Sequence, residues 1–252
     1  MRALYFAKPL EYRLEVPGDV FVQGEPLRGT LSVTNRGAKA SGKLSLNIGL
    51  AYGVYKEVKS EGARALQVLE RKTVAEGFTL KPEAEQRCEW ELPLGLTGPV
   101  HSKEGGPFLL YGGDLDKPEA RGQIDLPVQL APPFVAFLTT IENHFAFEMR
   151  SNRCVDGAIE AQFKPPGSYP ALEELTVRLT VDAKAVHTEF LARGRGLKVG
   201  ETGGLTIKKR AATKATPREQ FLPRNGVPNR ALFRALVGEL LPQIAVRVEK
   251  KG

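Results

Sequence analysis

The chain has 252 residues, enough for one large β-sandwich or two ordinary domains of about 100 to 150 residues each. Its 42% hydrophobic content can fill such cores, and its two cysteines, Cys88 and Cys154, are too few for a disulfide framework and too scattered for a paired zinc site. The formal charge of +7 is concentrated near the C-terminus. The longest uncharged stretch, Leu126 to Ile141, carries three prolines and falls short of the roughly 20 apolar residues of a membrane-spanning helix. At the N-terminus, the apolar run within Met1 to Lys8 breaks before the roughly 7 to 15 residues that a signal-peptide core needs. The expectation is a cytoplasmic protein with no membrane span.

Alternation of apolar and polar residues dominates from the first element onward, and a period of two is the signature of a strand with one buried face. Leu27, Leu31 and Val33 share one face with Gly29, opposite Arg28, Thr30 and Ser32, and Asn35-Arg36-Gly37 closes that strand. Strands are expected over Leu44 to Tyr52, Ala65 to Lys72, Glu76 to Leu80 and Cys88 to Pro93. In the last of these Cys88, Trp90 and Leu92 point inward, so Cys88 reads as a small core residue. A Gly- and Pro-rich loop covers Leu94 to Gly106, with strands following at Phe108 to Tyr111 and Gly122 to Leu130. Pro127 lacks an N–H and assigns that strand to an edge or a bulge.

Ala131-Pro132-Pro133 interrupts the pattern and reads as a stiff spacer between domains, 1–131 and 132–252. Beyond it strands are expected at Phe134 to Ile141, Phe145 to Arg150, Gly157 to Phe163, Leu175 to Ala183 and Ala185 to Leu191. One helix, about 229–241, opens on Asn229 as N-cap and carries Leu232, Phe233, Leu236, Val237, Leu240 and Leu241 at spacings of one, three and four. Pro242 is expected to stop it, and Ile244 to Val248 to form a last strand. The apolar stripe is expected to pack on the helix's own domain, because a membrane-surface helix would be richer in Lys and Arg on its polar face.

Between Arg193 and Arg234 eleven Lys or Arg face two acids, Glu201 and Glu219. Such a segment is either a surface for acidic partners such as nucleic acid or anionic lipid, or a solvated loop. Its few aromatics for base stacking weigh toward the loop. If it binds polyanions, the contacts fall on Lys208, Lys209, Arg210, Lys214 and Arg218.

Val16-Pro17-Gly18-Asp19 followed by Gly29-Thr30-Leu31-Ser32-Val33 resembles the first hairpin of arrestin-like domains. Gly77-Phe78-Thr79-Leu80-Lys81-Pro82, with Trp90-Glu91-Leu92-Pro93 downstream, is similar to the strands of those domains that end in Pro and Leu-Pro. Within that superfamily the layout resembles the bacterial sporulation-control protein family. The resemblance implies an all-β fold of two tandem arrestin-like, immunoglobulin-like sandwiches with one short C-terminal helix, and a non-enzymatic scaffolding or regulatory role. Arrestins that sense phosphate carry consecutive basic residues in the first strand. Here Arg13 stands alone, so phosphate sensing is not implied.

No constellation competes with a binding role. His101, His144 and His187 show no metal-ligand spacing. Asp114 and Asp116 read as a turn in which Asp holds its own backbone, since a calcium loop brings more carboxylates. Gly194-Arg195-Gly196 misses the spacing of a dinucleotide loop, Glu89 and Glu91 lie on a wet strand face, and no Gly-x-Ser-x-Gly elbow occurs. No catalytic residue, metal or cofactor is expected. The leading expectation is a scaffold that binds another protein through sheet edges, loops or an interdomain groove, with self-association into a homodimer compatible with exposed edges. Polyanion binding by the basic segment is the alternative.

Overall fold

The computed structural model describes residues 1–198, 204–224 and 226–244, with the side chains of 155, 195–198 and 204–208 outside that description. In chain order the elements are β1 (Arg2–Ala7), β2 (Leu10–Glu15), β3 (Phe21–Val22), β4 (Pro26–Asn35), β5 (Leu44–Val54), α1 (Tyr55–Glu61), β6 (Gln67–Phe78), β7 (Glu85–Pro93), β8 (Gly105–Gly112), β9 (Arg121–Asp125), β10 (Val128–Gln129), α2 (Pro132–Phe145), β11 (Glu148–Val155), β12 (Ala158–Lys164), β13 (Leu172–Val181), β14 (Ala185–Lys198), β15 (Gly204–Pro217), α3 (Arg218–Phe221) and α4 (Arg230–Ile244). The chain divides into two compact units, residues 1–95 with 99–129, and residues 96–98 with 130–252.

In the first unit one sheet has the order β1-β2-β4-β7 and the other β6-β5-β8-β9, and a short parallel pair joins β3 to β10. Period-two alternation buries Tyr12 and Leu14 of β2, Leu27, Leu31 and Val33 of β4, and Trp90 and Leu92 of β7. It likewise buries Leu46, Ile48 and Leu50 of β5 opposite Leu109 and Tyr111 of β8. The strand expectations for 27–33, 44–52 and 88–93 hold, while the two expected strands at 65–72 and 76–80 are one continuous β6. Pro127 marks the point where the chain leaves β9 and pairs with β3, its carbonyl accepting from the Phe21 N–H at 2.9 Å.

β8 is buried on both faces, which alternation alone does not explain. Its outer face carries Phe108 and Leu110, which join Ala51, Leu66 and Leu115 in a second small core beneath Tyr55 and Val58 of α1. Arg121 closes this core from β9. The residue is 5% exposed, and its guanidinium donates to the Leu115 carbonyl and, at 2.6 Å, to the Ala63 carbonyl. Burial pulls its pKa down from the usual arginine range.

In the second unit β11 to β15 form one antiparallel meander in sequence order. Its inner face, built from Ile159, Ala161, Phe163, Leu175, Val177, Leu179 and Phe190, is covered by α2 and α4. This corrects the strand expected at Phe134 to Ile141. Those residues are helical, because Phe134, Phe137, Leu138 and Ile141 recur at i, i+3, i+4 and i+7 and all enter the core. Pro132 and Pro133 open α2 in its first turn, where a missing N–H breaks no helical bond, and so do not act as a spacer. Phe134, Phe137, Phe221 and Phe233 form an aromatic cluster with ring centroids 4.8 to 5.9 Å apart.

The expected C-terminal helix is present. Asn229 Oδ1 accepts from the Leu232 N–H at 3.1 Å, the N-cap bond, and Phe233, Leu236, Val237, Leu240 and Leu241 are buried. Pro242 does not stop it. α4 runs on to Ile244, because a proline in the last turn removes one backbone bond while Ile244 remains buried in the core. The last expected strand therefore loses Ile244 to α4, and its remainder, 245–248, lies outside the described residues.

Candidate binding surface

The outer face of the first sheet is built row by row from its register. Arg2, Glu15, Thr30 and Glu89 stand opposite one another across β1, β2, β4 and β7, and Leu4, Arg13, Ser32 and Arg87 form the next row. Ion pairs follow these rows. Glu15 meets Arg2 at 3.4 Å and Arg87 at 3.5 Å, and Glu91 meets Arg28 at 2.7 Å. Lys72, from the other sheet, donates to the Glu91 carbonyl at 2.7 Å. Below this group Glu11 pairs with Arg36 at 3.0 Å, and that hydrogen bond holds the Glu11 carboxyl below the usual carboxylate range.

The upper row and the ion pairs around Glu15 and Glu91 wall a concavity of about 830 Å³ whose lining includes Arg2, Arg28, Lys72 and Arg87 together with Glu15, Glu89 and Glu91. Trp90 contributes to its floor. The indole is 4% exposed, and its Nε1 has no hydrogen-bond partner among the described residues. Four cations interleaved with three carboxylates make a mixed-charge surface. Such a surface complements another mixed-charge surface better than a uniform polyanion, which would meet the three glutamates. At the edge of the same sheet Leu4 and Phe6 of β1 are 56% and 59% exposed.

The basic residues singled out in the sequence do not form one face. They lie on or beside β15, an edge strand in place of the expected loop, and successive side chains of a strand point to opposite faces. Lys209 aligns with Arg193 and Glu174 on one face, while Arg210 and Lys214 alternate to the other. Lys214 pairs with Glu239 of α4, and Arg193 with Glu173 and Glu174 at 3.7 and 3.2 Å. Arg218 opens α3, its N–H donating to the Lys184 carbonyl at 2.8 Å. Lys208 lies opposite Gly194 in the ladder, its side chain outside the description.

The histidines are dispersed. His144 sits in the last turn of α2 against Phe145. His187 meets Asp182 at 2.7 Å in the β13–β14 hairpin, where Asp182 also accepts from the Lys184 and Ala185 N–H groups and is held at about 2. His101 belongs to a cluster that sequence spacing does not reveal. Its Nδ1 lies 2.8 Å from the Tyr55 hydroxyl, which donates to Asp125 at 3.4 Å. Burial, then the Asp125 charge, pushes Tyr55 up to about 12. The cluster pins the 94–104 loop, since the Tyr55 N–H also donates to the Glu104 carbonyl and the His101 N–H to the Val128 carbonyl. Asp114 and Asp116 form the expected turn. The Asp114 carboxylate accepts from the Asp116 N–H and pairs with Lys117 at 2.9 Å, and Asp116 pairs with Arg71. Among the described residues no group of three or more His, Cys, Asp or Glu is placed to hold a metal ion.

The class defined by this architecture is a mostly-β protein of several antiparallel sheets, one unit of which faces two four-stranded sheets across a core. Its overall fold is similar to the crystal structure of Spo0M, the sporulation control protein of Bacillus subtilis. The TM-score is 0.69 at 16% identity, over 93% of this chain and 98% of that one, so the expected fold class stands, with the difference that the second unit is one five-stranded sheet packed under α2 and α4 in place of the expected second two-sheet sandwich. Partial likenesses reach the alkylpurine DNA glycosylase AlkC of Pseudomonas fluorescens, at 16% identity over 48% of this chain and 30% of that one (TM-score 0.32). A β-glucosidase of Listeria innocua is matched at 13% identity over 48% and 16% (TM-score 0.30). No family model and no curated protein matches the sequence. No helix among the described residues is long and apolar enough to cross a membrane.

Proposed function

We propose that this chain is a non-enzymatic regulatory protein of the cytoplasm that acts by binding another protein on the outer face of its first sheet. The observation that carries this reading is the concavity of about 830 Å³ with cations and carboxylates interleaved by strand register. Protein surfaces present both signs of charge at this spacing, and complementary patches set specificity and encounter rate. The fold shared with a protein described as a sporulation control protein supports a regulatory role.

Charge reversal tests it. Arg28→Glu with Arg87→Glu leaves the core untouched, since both side chains are well exposed. Affinity capture from the native host with the wild-type chain recovers a discrete protein, and the doubly substituted chain loses it at an unchanged melting temperature. Equal recovery by both chains would overturn the assignment to this face.

A further inference from the structure

We propose that the end of the first unit at which β1 turns into β2 docks on an anionic phospholipid surface through four lysines, Lys8, Lys39, Lys43 and Lys81. The concave face is walled by residues nearer the other end of these strands, Met1, Glu15, Arg28 and Glu91 among them, so vesicle binding and partner capture succeed or fail separately.

Strand register brings three loops to this end. Ala7 pairs with Leu10 across the 8–9 turn, Leu10 with Asn35, Thr34 with Glu85 and Leu44 with Phe78, so residues 8–9, 36–43 and 79–84 leave their strands together. A buried amide fastens them. Asn35 is 0% exposed, its Nδ2 donates to the Lys39 carbonyl at 2.8 Å and the Leu80 carbonyl at 3.0 Å, and its Oδ1 accepts from the Gly37 N–H at 3.0 Å. The Ser41 N–H donates to the Leu80 carbonyl and the Ser41 Oγ accepts from the Leu80 N–H, both at 2.8 Å. The Arg36 N–H donates to the Pro9 carbonyl at 2.9 Å and ties in the turn. The loops satisfy one another's polar groups, and the lysines project from one platform.

The platform carries charge that the protein leaves uncompensated. Its loops hold five cations, the four lysines and Arg36, against one acid, Glu83. Arg36 takes Glu83 at 2.9 Å and Glu11 of β2 at 3.0 Å, and in the neighbouring loop between β8 and β9 Lys117 and Arg71 take Asp114 and Asp116. The four lysines are exposed and form no ion pair among the described residues. Lysine tips at the end of a sandwich meet a plane of phosphate headgroups side by side, and each near an anionic leaflet adds to the attraction. The three loops contain no Tyr, Trp or Phe on which bases could stack, which weighs against a nucleic-acid strand. They expose Ala38, Ala40 and Gly42 and no large apolar side chain, which weighs against a protein partner that needs a buried anchor.

The test is co-sedimentation of the full chain with vesicles of phosphatidylcholine alone and of phosphatidylcholine with phosphatidylglycerol in equal parts, at low and moderate salt. The wild-type chain binds the anionic vesicles in excess over the neutral ones and leaves them as salt rises. Lys39→Gln with Lys81→Gln lowers the partition coefficient about 25-fold, roughly fivefold per lysine, at an unchanged melting temperature. Lys56→Gln with Lys59→Gln removes the same charge from α1, which follows the other end of β5, and leaves binding within about twofold. No excess binding to the anionic vesicles, or equal losses in the two double variants, would overturn the proposal. So would a mixed-sequence DNA that the chain binds more tightly than the anionic vesicles and releases when Lys39 and Lys81 are replaced, which assigns this end to nucleic acid.

Discussion

Trp90 occupies the space that any side chain at position 29 would need. The two residues are direct cross-strand partners, and a Cβ on Gly29 would fall 2.6 Å from the indole Cζ2 and 2.3 Å from the Glu15 carbonyl oxygen. The glycine of the β4 motif is thus a packing requirement set by the floor of the concave face. Gly29→Ala is expected to destabilise the chain by about 1 to 3 kcal/mol, the usual cost of overpacking. Urea unfolding monitored by Trp90 fluorescence checks this, and the emission spectrum should shift as the indole is displaced. An unchanged midpoint would contradict the packing.

Arg121 joins two segments that are far apart in sequence. Its fork holds the carbonyls of Leu115 and Ala63, and those bonds, with the Asp116 charge, offset burial of the guanidinium. Arg121→Lys offers one ammonium in place of a planar fork, so it is expected to cost about 1 to 3 kcal/mol despite conserving charge. Hydrogen exchange should rise at 62–65 and 113–118 ahead of the rest of the first unit. Uniform exchange across the unit would argue against a local clasp.

Tyr55 is expected to hold the 94–104 loop through its hydroxyl while its ring packs against Phe108, centroids 6.1 Å apart. Tyr55→Phe keeps the ring and removes the bonds to His101 and Asp125. The loss should appear as faster exchange at His101 and Glu104 with a melting temperature nearly unchanged. In the wild-type chain this tyrosine should ionise near pH 12, well above the usual value of about 10, in an ultraviolet titration.

Acid stability carries a signature of Asp182. Its folded value of about 2 lies below the unfolded value of about 3.9, so its hydrogen bonds to His187, Lys184 and Ala185 contribute stability above pH 4. That contribution is lost as pH falls from 4 toward 2. Asp182→Asn is therefore expected to be less stable than wild type at neutral pH, and the gap should close across that window. A gap independent of pH would place the effect elsewhere.

Strands with one wet face were legible directly. In β13 the alternation of Leu175, Val177 and Leu179 matches the buried positions, as does that of Leu27, Leu31 and Val33 in β4, while in β5 it holds for Leu46, Ile48 and Leu50 until Gly49 and Ala51 are buried on the second face. Where both faces are apolar, periodicity loses its meaning. Phe134 to Ile141 fits a buried strand by composition, and only the i, i+3, i+4, i+7 spacing of the buried residues identifies α2. β1 escaped notice for the same reason, since Ala3 to Ala7 is apolar on both sides. The concave face could not be read from one strand. Its rows arise from registers joining Glu15 to Thr30 and Thr30 to Glu89, and no local spacing encodes them. His101, Tyr55 and Asp125 meet across 46 and 70 residues of sequence, again without a local signal. The basic segment misled in the opposite sense, because a strand sends neighbouring charges to opposite faces.

The most direct test of the binding role is site-specific photo-crosslinking in the native host. One probe replaces Thr30, at the centre of the first sheet's outer face, and a control probe replaces Thr180, on the outer face of the second unit's sheet. A discrete protein crosslinked at position 30, absent at position 180 and lost when Arg87→Glu is added, is the result predicted here. No crosslink at position 30, or the same products at both positions, would contradict it.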